Sequence, residues 1–162
     1  WKLFQMAAEN GHMLAQLKCG QIMLSKSDES GAMKWFDLAS RQGNADAQFA
    51  FATLLSNRGE HAEAAELLHL AAGQGHGQAM NNLGLMYKSG NGGVPPNAQL
   101  AVTWFKEASS KGIDSATCNW AMCLVKGYGV EKDVEKAAEL LRPLADRGHP
   151  GALSVLTRLG RL

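Results

Sequence analysis

The sequence has few cysteines, which weighs against a disulfide-stabilised framework. Its 162 residues include three, Cys19, Cys118 and Cys123, so at least one thiol has no partner within the chain. Cys118 and Cys123 stand five positions apart in a segment with helical periodicity, which points their side chains to different faces and disfavours a disulfide between them. We interpret all three cysteines as small apolar residues of the core.

An excess of one charge and long apolar runs are also lacking. The chain has 16 basic and 15 acidic residues, a net charge of +1, which gives no reason to expect nucleic acid or an acidic membrane as a partner. No apolar run approaches the roughly 18 residues that a membrane-spanning helix needs, so we predict no membrane insertion. No signal peptide is visible at the start of the chain, which is Trp1 and not a methionine.

Motifs of catalysis and metal binding are missing as well. The chain has no G-x-S-x-G sequence, and the glycine-rich stretch 89–97 lacks the Lys and Ser or Thr that follow a phosphate-binding loop. His12, His76 and His149 recur at equivalent positions of separate helix layers, which lie roughly 8–10 Å apart. Zinc ligands must lie near 2 Å from the metal, so we interpret these histidines as polar residues at helix starts. We predict no catalytic residue, no metal site and no cofactor.

A repeat with a period of 32 to 37 residues runs through the whole chain. Five glycines mark the repeat and are here called the phasing glycines: Gly11, Gly43, Gly75, Gly112 and Gly148. Alanine stands four positions after each phasing glycine, and a residue that is nearly always small stands nine positions after it. A pair of bulky residues stands seven and eight positions before each phasing glycine, and alanine stands eleven positions before four of them. Positions at the same distance from a phasing glycine are called a column.

These columns predict a helical hairpin in each repeat. Ala32, Trp35, Phe36 and Ala39 recur at the spacing of one face of an amphipathic helix. A small residue where two helices cross lets the backbones approach, and a bulky neighbour fills the adjoining groove. The phasing glycine follows one helix as a left-handed C-cap, and a second helix runs out of it.

The segment 79–112 has a characteristic set of small, apolar and aromatic residues, and part of it recurs in the next unit. The residues are Ala79, Leu83, Gly84, Tyr87, Gly90, Val94, Ala101, Trp104, Phe105, Ala108 and Gly112, and the next unit keeps Gly127, Gly129, Val130 and Ala137. In this pattern the segment resembles the Sel-one-like repeat (SLR) family, which is related to the tetratricopeptide repeats. The resemblance implies a superhelix of hairpins that presents a concave surface to partners. It implies no reaction.

We therefore predict an all-α fold, a right-handed α/α superhelix (solenoid) of antiparallel helix pairs, in a single repeat domain over residues 1–162. The first two full units lack the G-x-G-V turn and should have short turns, whereas 89–97 should form a longer one. Pro143 should bend its helix or mark its start. The predicted parts are a half unit at 1–10, full units at about 12–42, 44–74, 76–111 and 113–147, and a terminal helix at 149–161.

The predicted function is that of a scaffold or adaptor that binds a protein or peptide in the concave groove. In the related tetratricopeptide solenoids, the helix after the phasing glycine lines this groove, and an Asn there often holds the partner's backbone. Asn82 and Asn119 stand seven positions after their glycines, and an Asn amide both donates and accepts. The alternative is that these amides only bond neighbouring helices. The predicted binding residues are Lys18, Asp46, Phe49, Thr53, Gln78, Asn81, Asn82, Leu85, Lys88, Ser115, Asn119 and Met122.

Two other interpretations stay open. Cysteine-rich members of the resembled family have been linked to penicillin binding and β-lactamase activity, but they carry paired cysteines in each repeat, which this chain does not. The chain could also be an internal piece of a longer array whose role is set by other domains. The unpaired cysteines favour the cytoplasm, whereas exported family members, many of them bacterial, are common, so the compartment is left open.

The first helix is expected to be covered. It carries Trp1, Leu3 and Phe4 and has no hairpin partner in the sequence. An uncovered apolar face of this kind is normally hidden, so we expect upstream residues, a neighbouring molecule or a second copy of the chain to pack on it. A homo-oligomer formed through this helix is therefore one expected state, and a frayed end is the alternative.

Overall fold

The computed structural model describes residues 2–161, which form ten α-helices and one short 3-10 turn, with no strand in that range. The prediction of an all-α fold is confirmed. The helices are α1 (Lys2–Glu9), α2 (Met13–Ser25), α3 (Glu29–Arg41), α4 (Ala45–Asn57), α5 (His61–Gly73), α6 (Gly77–Ser89), α7 (Ala98–Ser110), α8 (Asp114–Lys126), α9 (Val134–Asp146) and α10 (Pro150–Arg158), and the 3-10 turn is Asn91–Gly93.

The chain forms two compact units, Trp1–Ala79 (unit 1) and Met80–Leu162 (unit 2). In unit 1, α1 packs on α2 and each later helix to α5 packs on the one before it; in unit 2 the same holds from α7 to α10. Helices that follow a phasing glycine are called A helices (α2, α4, α6, α8 and α10), and those that run into one are called B helices (α1, α3, α5, α7 and α9). The single repeat domain over 1–162 stays a prediction.

The phasing glycines end the B helices in a left-handed conformation, as the sequence predicts. Their φ angles lie between +79° and +89°. An added Cβ at Gly11, Gly43, Gly112 or Gly148 would meet nothing within 4 Å, so these four positions require glycine for its left-handed backbone conformation and not because a side chain lacks space.

Two of the three histidines that follow a phasing glycine cap the next A helix. His76 Nδ1 accepts from the Ala79 backbone N–H at 3.2 Å, and His149 Nδ1 accepts from the Ala152 N–H at 3.4 Å. These bonds confirm the helix-start interpretation for both. His12 makes no such bond to α2.

The helix pairs cross where glycine faces phenylalanine. A Cβ added to Gly20 of α2 would lie 2.5 Å from the ring of Phe36 in α3, and one added to Gly84 of α6 would lie 2.5 Å from Phe105 in α7. Both rings are at most 1% exposed. The absent side chain is therefore what lets the two backbones approach.

The turns differ in length as the sequence predicts. Residues 26–28 and 58–60 join the first two full pairs, whereas 90–97 and 127–133 join the next two. Pro143 lies inside α9, which begins at Val134, so the expectation that it marks a helix start is wrong. Its ring stands on the exposed side of the helix.

Candidate partner-binding surface

The A helices of unit 1 present a cluster of one aromatic ring, one imidazole and one carboxylate. Phe49 of α4 stacks on His76, with ring centroids 4.6 Å apart and an angle of 26° between the planes. Asp46, one turn earlier on α4, places Oδ1 3.4 Å from His76 Nε2. Asp46 is exposed and Phe49 is half-buried, so both can touch a partner.

The helix cap of His76 fixes which tautomer its neutral ring adopts. Nδ1 accepts a backbone N–H, so the proton of the neutral ring is on Nε2. Nε2 faces Asp46 and can donate to it. The cap therefore holds the imidazole edge toward Asp46 while its face supports Phe49.

The other predicted residues of unit 1 are exposed. Lys18 Nζ donates to Gln21 at 3.1 Å, and the Thr53 hydroxyl donates to the Phe49 carbonyl at 2.9 Å. Gln78 lies at the start of α6 with its side chain in solvent. The main apolar residue that sequence reasoning missed is Leu14 of α2, which is 55% exposed and shares a column with Asp46 and Gln78. That shared column is the signal that could have found it.

An apolar cavity of about 330 Å³ lies between α1 and α2. Phe4 and Leu14 wall it, both more than half exposed, and Lys18 stands at its rim. One repeat later, the counterpart of Phe4 is Phe36, and α2 covers that ring through Gly20. The expectation that something covers the first helix stays a prediction, and Trp1 lies outside the described residues.

In unit 2, two of the predicted asparagines are bonded to each other. Asn119 Nδ2 of α8 donates to Asn81 Oδ1 of α6 at 3.0 Å. Asn81 is 6% exposed, whereas Asn119 is half-buried. The bond between neighbouring helices, which the sequence left as an alternative, therefore holds for this pair. Asn82 is half-buried, and its amide has no hydrogen bond within the described part of the chain.

The other predicted residues of unit 2 lie on the same helices as Asn82 and Asn119. Leu85 is 41% exposed, and Met122 is half-buried in the same column of the next A helix. Lys88 and Ser115 are exposed at the C-terminal and N-terminal turns of α6 and α8. Unit 2 thus presents an amide, apolar surface and an ammonium group on its A helices.

Buried glutamines link successive repeats in unit 1, which sequence reasoning missed. Gln48 Nε2 donates to the Ser40 carbonyl at 3.3 Å, and Gln48 Oε1 accepts from Gln74 at 2.8 Å. The same arrangement one repeat earlier joins Gln16 to the Ala8 carbonyl at 3.1 Å and to Gln42 at 2.7 Å. These bonds satisfy the amides of Gln16 and Gln48, which are 3% exposed, and hold each of these A helices to the B helices before and after it.

The family model named Sel1 repeat matches residues 1–12, 13–44, 58–76, 77–113 and 114–149. These matches cover most of the sequence and repeat with the period of the phasing glycines. The chain belongs to the Sel1 repeat family. Two stretches are unmatched, 45–57 and 150–162. The first is α4, which has Ala52 and Leu55 where the unit at 77–113 has Gly84 and Tyr87.

Solved Sel1 repeat structures share the fold. A Sel1 repeat protein from Oxalobacter formigenes is 26% identical with a TM-score of 0.79, and the match covers 88% of this chain and 62% of that one. The protein c5321, a protective antigen of uropathogenic Escherichia coli strains with an SLR fold, is 21% identical with a TM-score of 0.53, and the match covers 92% of this chain and 41% of that one. The chain thus spans less than two thirds of either protein. No curated protein matches it.

The cysteines of this Sel1 repeat chain are free thiols without nucleophilic activation. Cys118 Sγ lies 3.9 Å from His149 Nδ1, a proximity that the sequence could not show. That nitrogen accepts the Ala152 N–H, so it is already engaged as a cap. Burial, and then the charge of Asp114, raise the pKa of the Cys118 thiol, the reverse of what a nucleophile needs. The structure gives the β-lactamase alternative no support.

Burial also raises the pKa of the Cys19 and Cys123 thiols, which lie in the core as predicted. Among residues 2–161, no three His, Cys, Asp or Glu side chains come close enough to hold a metal ion. Within the same range, no helix is long and apolar enough to cross a bilayer.

Proposed function

We propose that the chain is a protein-interaction scaffold whose A helices bind an extended segment of a partner protein. Sel1 repeats are generally protein–protein interaction scaffolds, and their fold is typically non-enzymatic. The observation that carries the proposal is Asn82. Its half-buried amide has no protein partner in the described range and lies beside exposed Leu85.

In unit 2, the amide of Asn82 pairs with a backbone N–H and C=O of the partner, because one amide supplies both a donor and an acceptor. Leu85 and Met122 contact an apolar side chain, and Lys88 meets an acidic group. The bond from Asn119 fixes Asn81, so this pair acts by holding α6 and α8 at their spacing. Ser115 borders the surface on α8.

In unit 1, the proposed contacts are Phe49 and Asp46, both held by His76. A stacked aromatic ring offers a large contact area at small cost in conformational entropy. Lys18, Thr53 and Gln78 supply polar contacts around it. Leu14 adds an apolar contact on α2, since it is more than half exposed.

The proposal is tested with peptides selected on the protein from a displayed random library. Asn82→Ala should weaken a selected peptide about tenfold, the loss expected for one well-made hydrogen-bonded contact. The melting temperature should stay nearly unchanged, because Asn82 bonds no other described residue. Isothermal titration calorimetry measures the affinity, and circular dichroism measures the melting temperature.

Asn57→Ala is the matched control, since Asn57 is an exposed asparagine at the end of α4. It should leave the affinity as it is. Equal affinities for the Asn82→Ala variant and the wild type would show that Asn82 is not part of the binding surface. Failure to select any peptide would count against binding of extended segments altogether.

A further inference from the structure

In each unit, charged residues of two B helices surround an aromatic ring of the A helix between them, and this surface is here called the outer face of the unit. The charge on the outer face has opposite signs in the two units, at equivalent columns. Phe51 and Trp120 each stand eight residues after a phasing glycine. On α3 and α7, six residues before those same glycines, the column has Asp37 in unit 1 and Lys106 in unit 2.

The same reversal occurs on the following B helices. Twelve residues before the next phasing glycine, the column has Glu63 on α5 in unit 1 and Lys136 on α9 in unit 2. Each ring thus lies between two acidic side chains in one unit and between two basic side chains in the other.

The structure brings these residues together as the columns indicate. In unit 1, Asp37, Glu63 and Phe51 line the same two open cavities, of about 350 and 310 Å³, between α3 and α5. In unit 2, the Nζ atoms of Lys106 and Lys136 lie 5.7 and 5.9 Å from the centre of the Trp120 ring. The ring face between two ammonium groups is a cation–π arrangement.

Several charged groups on the two faces are available to form ion pairs with a second molecule. Lys106 and Lys136 have no ion pair among residues 2–161, and the same is true of Glu63 and of Glu66, which also lines the larger cavity. Arg41 bonds Asp37 at 2.8 Å and so takes up part of the acidic charge in unit 1. Lys34 and Arg58 line the smaller cavity, so the acidic character is that of the larger one.

Apolar surface accompanies the charges on both faces. Leu38 and Leu70 share a column on α3 and α5 and are 43% and 57% exposed. In unit 2, Trp120 is half-buried, and the exposed ring of Pro143 stands in the column of Leu38 and Leu70. An apolar centre with a charged rim is the usual composition of a protein interface.

We infer that the outer face of unit 1 binds the outer face of unit 2 of a second copy of this chain. The lysines beside Trp120 enter the larger cavity, which Glu63 and Glu66 line, and Leu70 packs against Trp120. Net charge favours this pairing, since unit 1 has six basic and eight acidic residues and unit 2 has ten basic and seven acidic. The contact joins two different surfaces and is therefore heterologous.

The charged residues of this interface lie on the B helices. Its rings, Phe51 and Trp120, lie on the A helices α4 and α8 but in a column that contains none of the proposed partner-binding residues, so each proposal can fail without the other. The basic character of the unit 2 face is local, because Glu107 and Glu139 also stand on its B helices. The test therefore reverses only the two lysines that flank the ring.

The experiment is a charge exchange followed by sedimentation velocity, from about 1 µM to about 1 mM protein. The wild type should show a mass that rises with concentration, and this rise should shrink at about 1 M salt, where the Debye length is about 3 Å. Lys106→Glu with Lys136→Glu should weaken association at least tenfold, because like charges then face each other. Glu63→Lys with Glu66→Lys should do the same.

An equimolar mixture of the two double variants should associate again, because one then has acidic and the other basic groups on both faces. Lys111→Glu with Lys126→Glu changes the net charge equally at exposed positions that belong to neither proposed surface and should leave association unchanged. Circular dichroism verifies that every variant is folded. A wild type that stays monomeric throughout, or a mixture that stays monomeric while the wild type associates, would overturn the inference.

Discussion

At the scale of single residues, Gly84 sets how closely two helices pack. Its missing side chain is replaced by the ring of Phe105, which is fully buried. A glycine of the same repeat serves another need: Gly112 has a φ of +79° and nothing within 4 Å of an added Cβ, so its role is conformational. The same residue type thus appears in one repeat for two physical reasons.

Gly84→Ala should destabilise the fold. The added methyl group meets the Phe105 ring, and overpacking of this kind costs about 1–3 kcal/mol, partly offset by the roughly 1 kcal/mol that alanine gains over glycine in a helix. Gly73→Ala is the matched control, because Gly73 ends α5 in open space, and it should be neutral or stabilising by up to about 1 kcal/mol. Urea denaturation measures both. Equal effects of the two substitutions would contradict the account of the helix crossing.

Cys118 should react slowly with thiol reagents. Burial and Asp114 raise the pKa of its thiol, so the thiolate is a minor species at pH 8. Because a raised pKa shifts deprotonation to higher pH, the rate should keep rising as the pH passes 9. A Cys118→Ser variant assigns the signal in a pH series with a chromogenic disulfide. Rapid modification at neutral pH would instead indicate an activated cysteine, which the account excludes.

At the scale of helices, residues of unit 1 that share a column make the same hydrogen bonds from one repeat to the next. The glutamine links of unit 1 join residues 26 positions apart, one at the end of a B helix and one within an A helix. In unit 2, the hydroxyl groups of Ser109 and Thr117, which stand in the columns of Ser40 and Gln48, lie 2.7 Å apart and join α7 to α8. Each solution satisfies a polar group in the layer between helices.

Gln48→Ala should lower the free energy of unfolding by about 1–3 kcal/mol, since it removes the bonds of Gln48 to the Ser40 carbonyl and to the Gln74 amide and opens space in the core. Gln78→Ala, in an exposed position, should change it by less than about 0.5 kcal/mol. Thermal melts followed by circular dichroism compare the two. A Gln48 variant as stable as the wild type would show that the link contributes nothing.

The helices could be predicted from the sequence because small residues, bulky residues and left-handed glycines recur at fixed spacings. These spacings reflect contacts between neighbouring residues within one hairpin. The sequence predicted the short turns at 26–28 and 58–60 for the same reason. It could not predict that Asn119 bonds Asn81, or that Cys118 lies beside His149, because those contacts depend on how side chains of different repeats meet. Their shared column predicted the same binding role for Asn82 and Asn119. In the structure Asn119 bonds Asn81, whereas the amide of Asn82 has no such bond.

At the scale of the whole molecule, the chain divides its surface between two kinds of helix. The A helices carry amides, apolar groups and few charges, whereas the B helices carry the opposed charges around Phe51 and Trp120. A repeat architecture permits this division, because each helix position recurs and can vary from copy to copy without altering the packing columns.

Chemical-shift mapping of a selected peptide onto the isotopically labelled chain tests the central claim most directly. The account predicts that the largest shifts of backbone amides on titration fall on the exposed residues of the A helices, among them Thr53, Leu85 and Met122. The amides of the B helices α3, α5, α7 and α9 should change little. Shifts concentrated on those B helices would contradict the claim that this Sel1 repeat protein binds partners through its A helices.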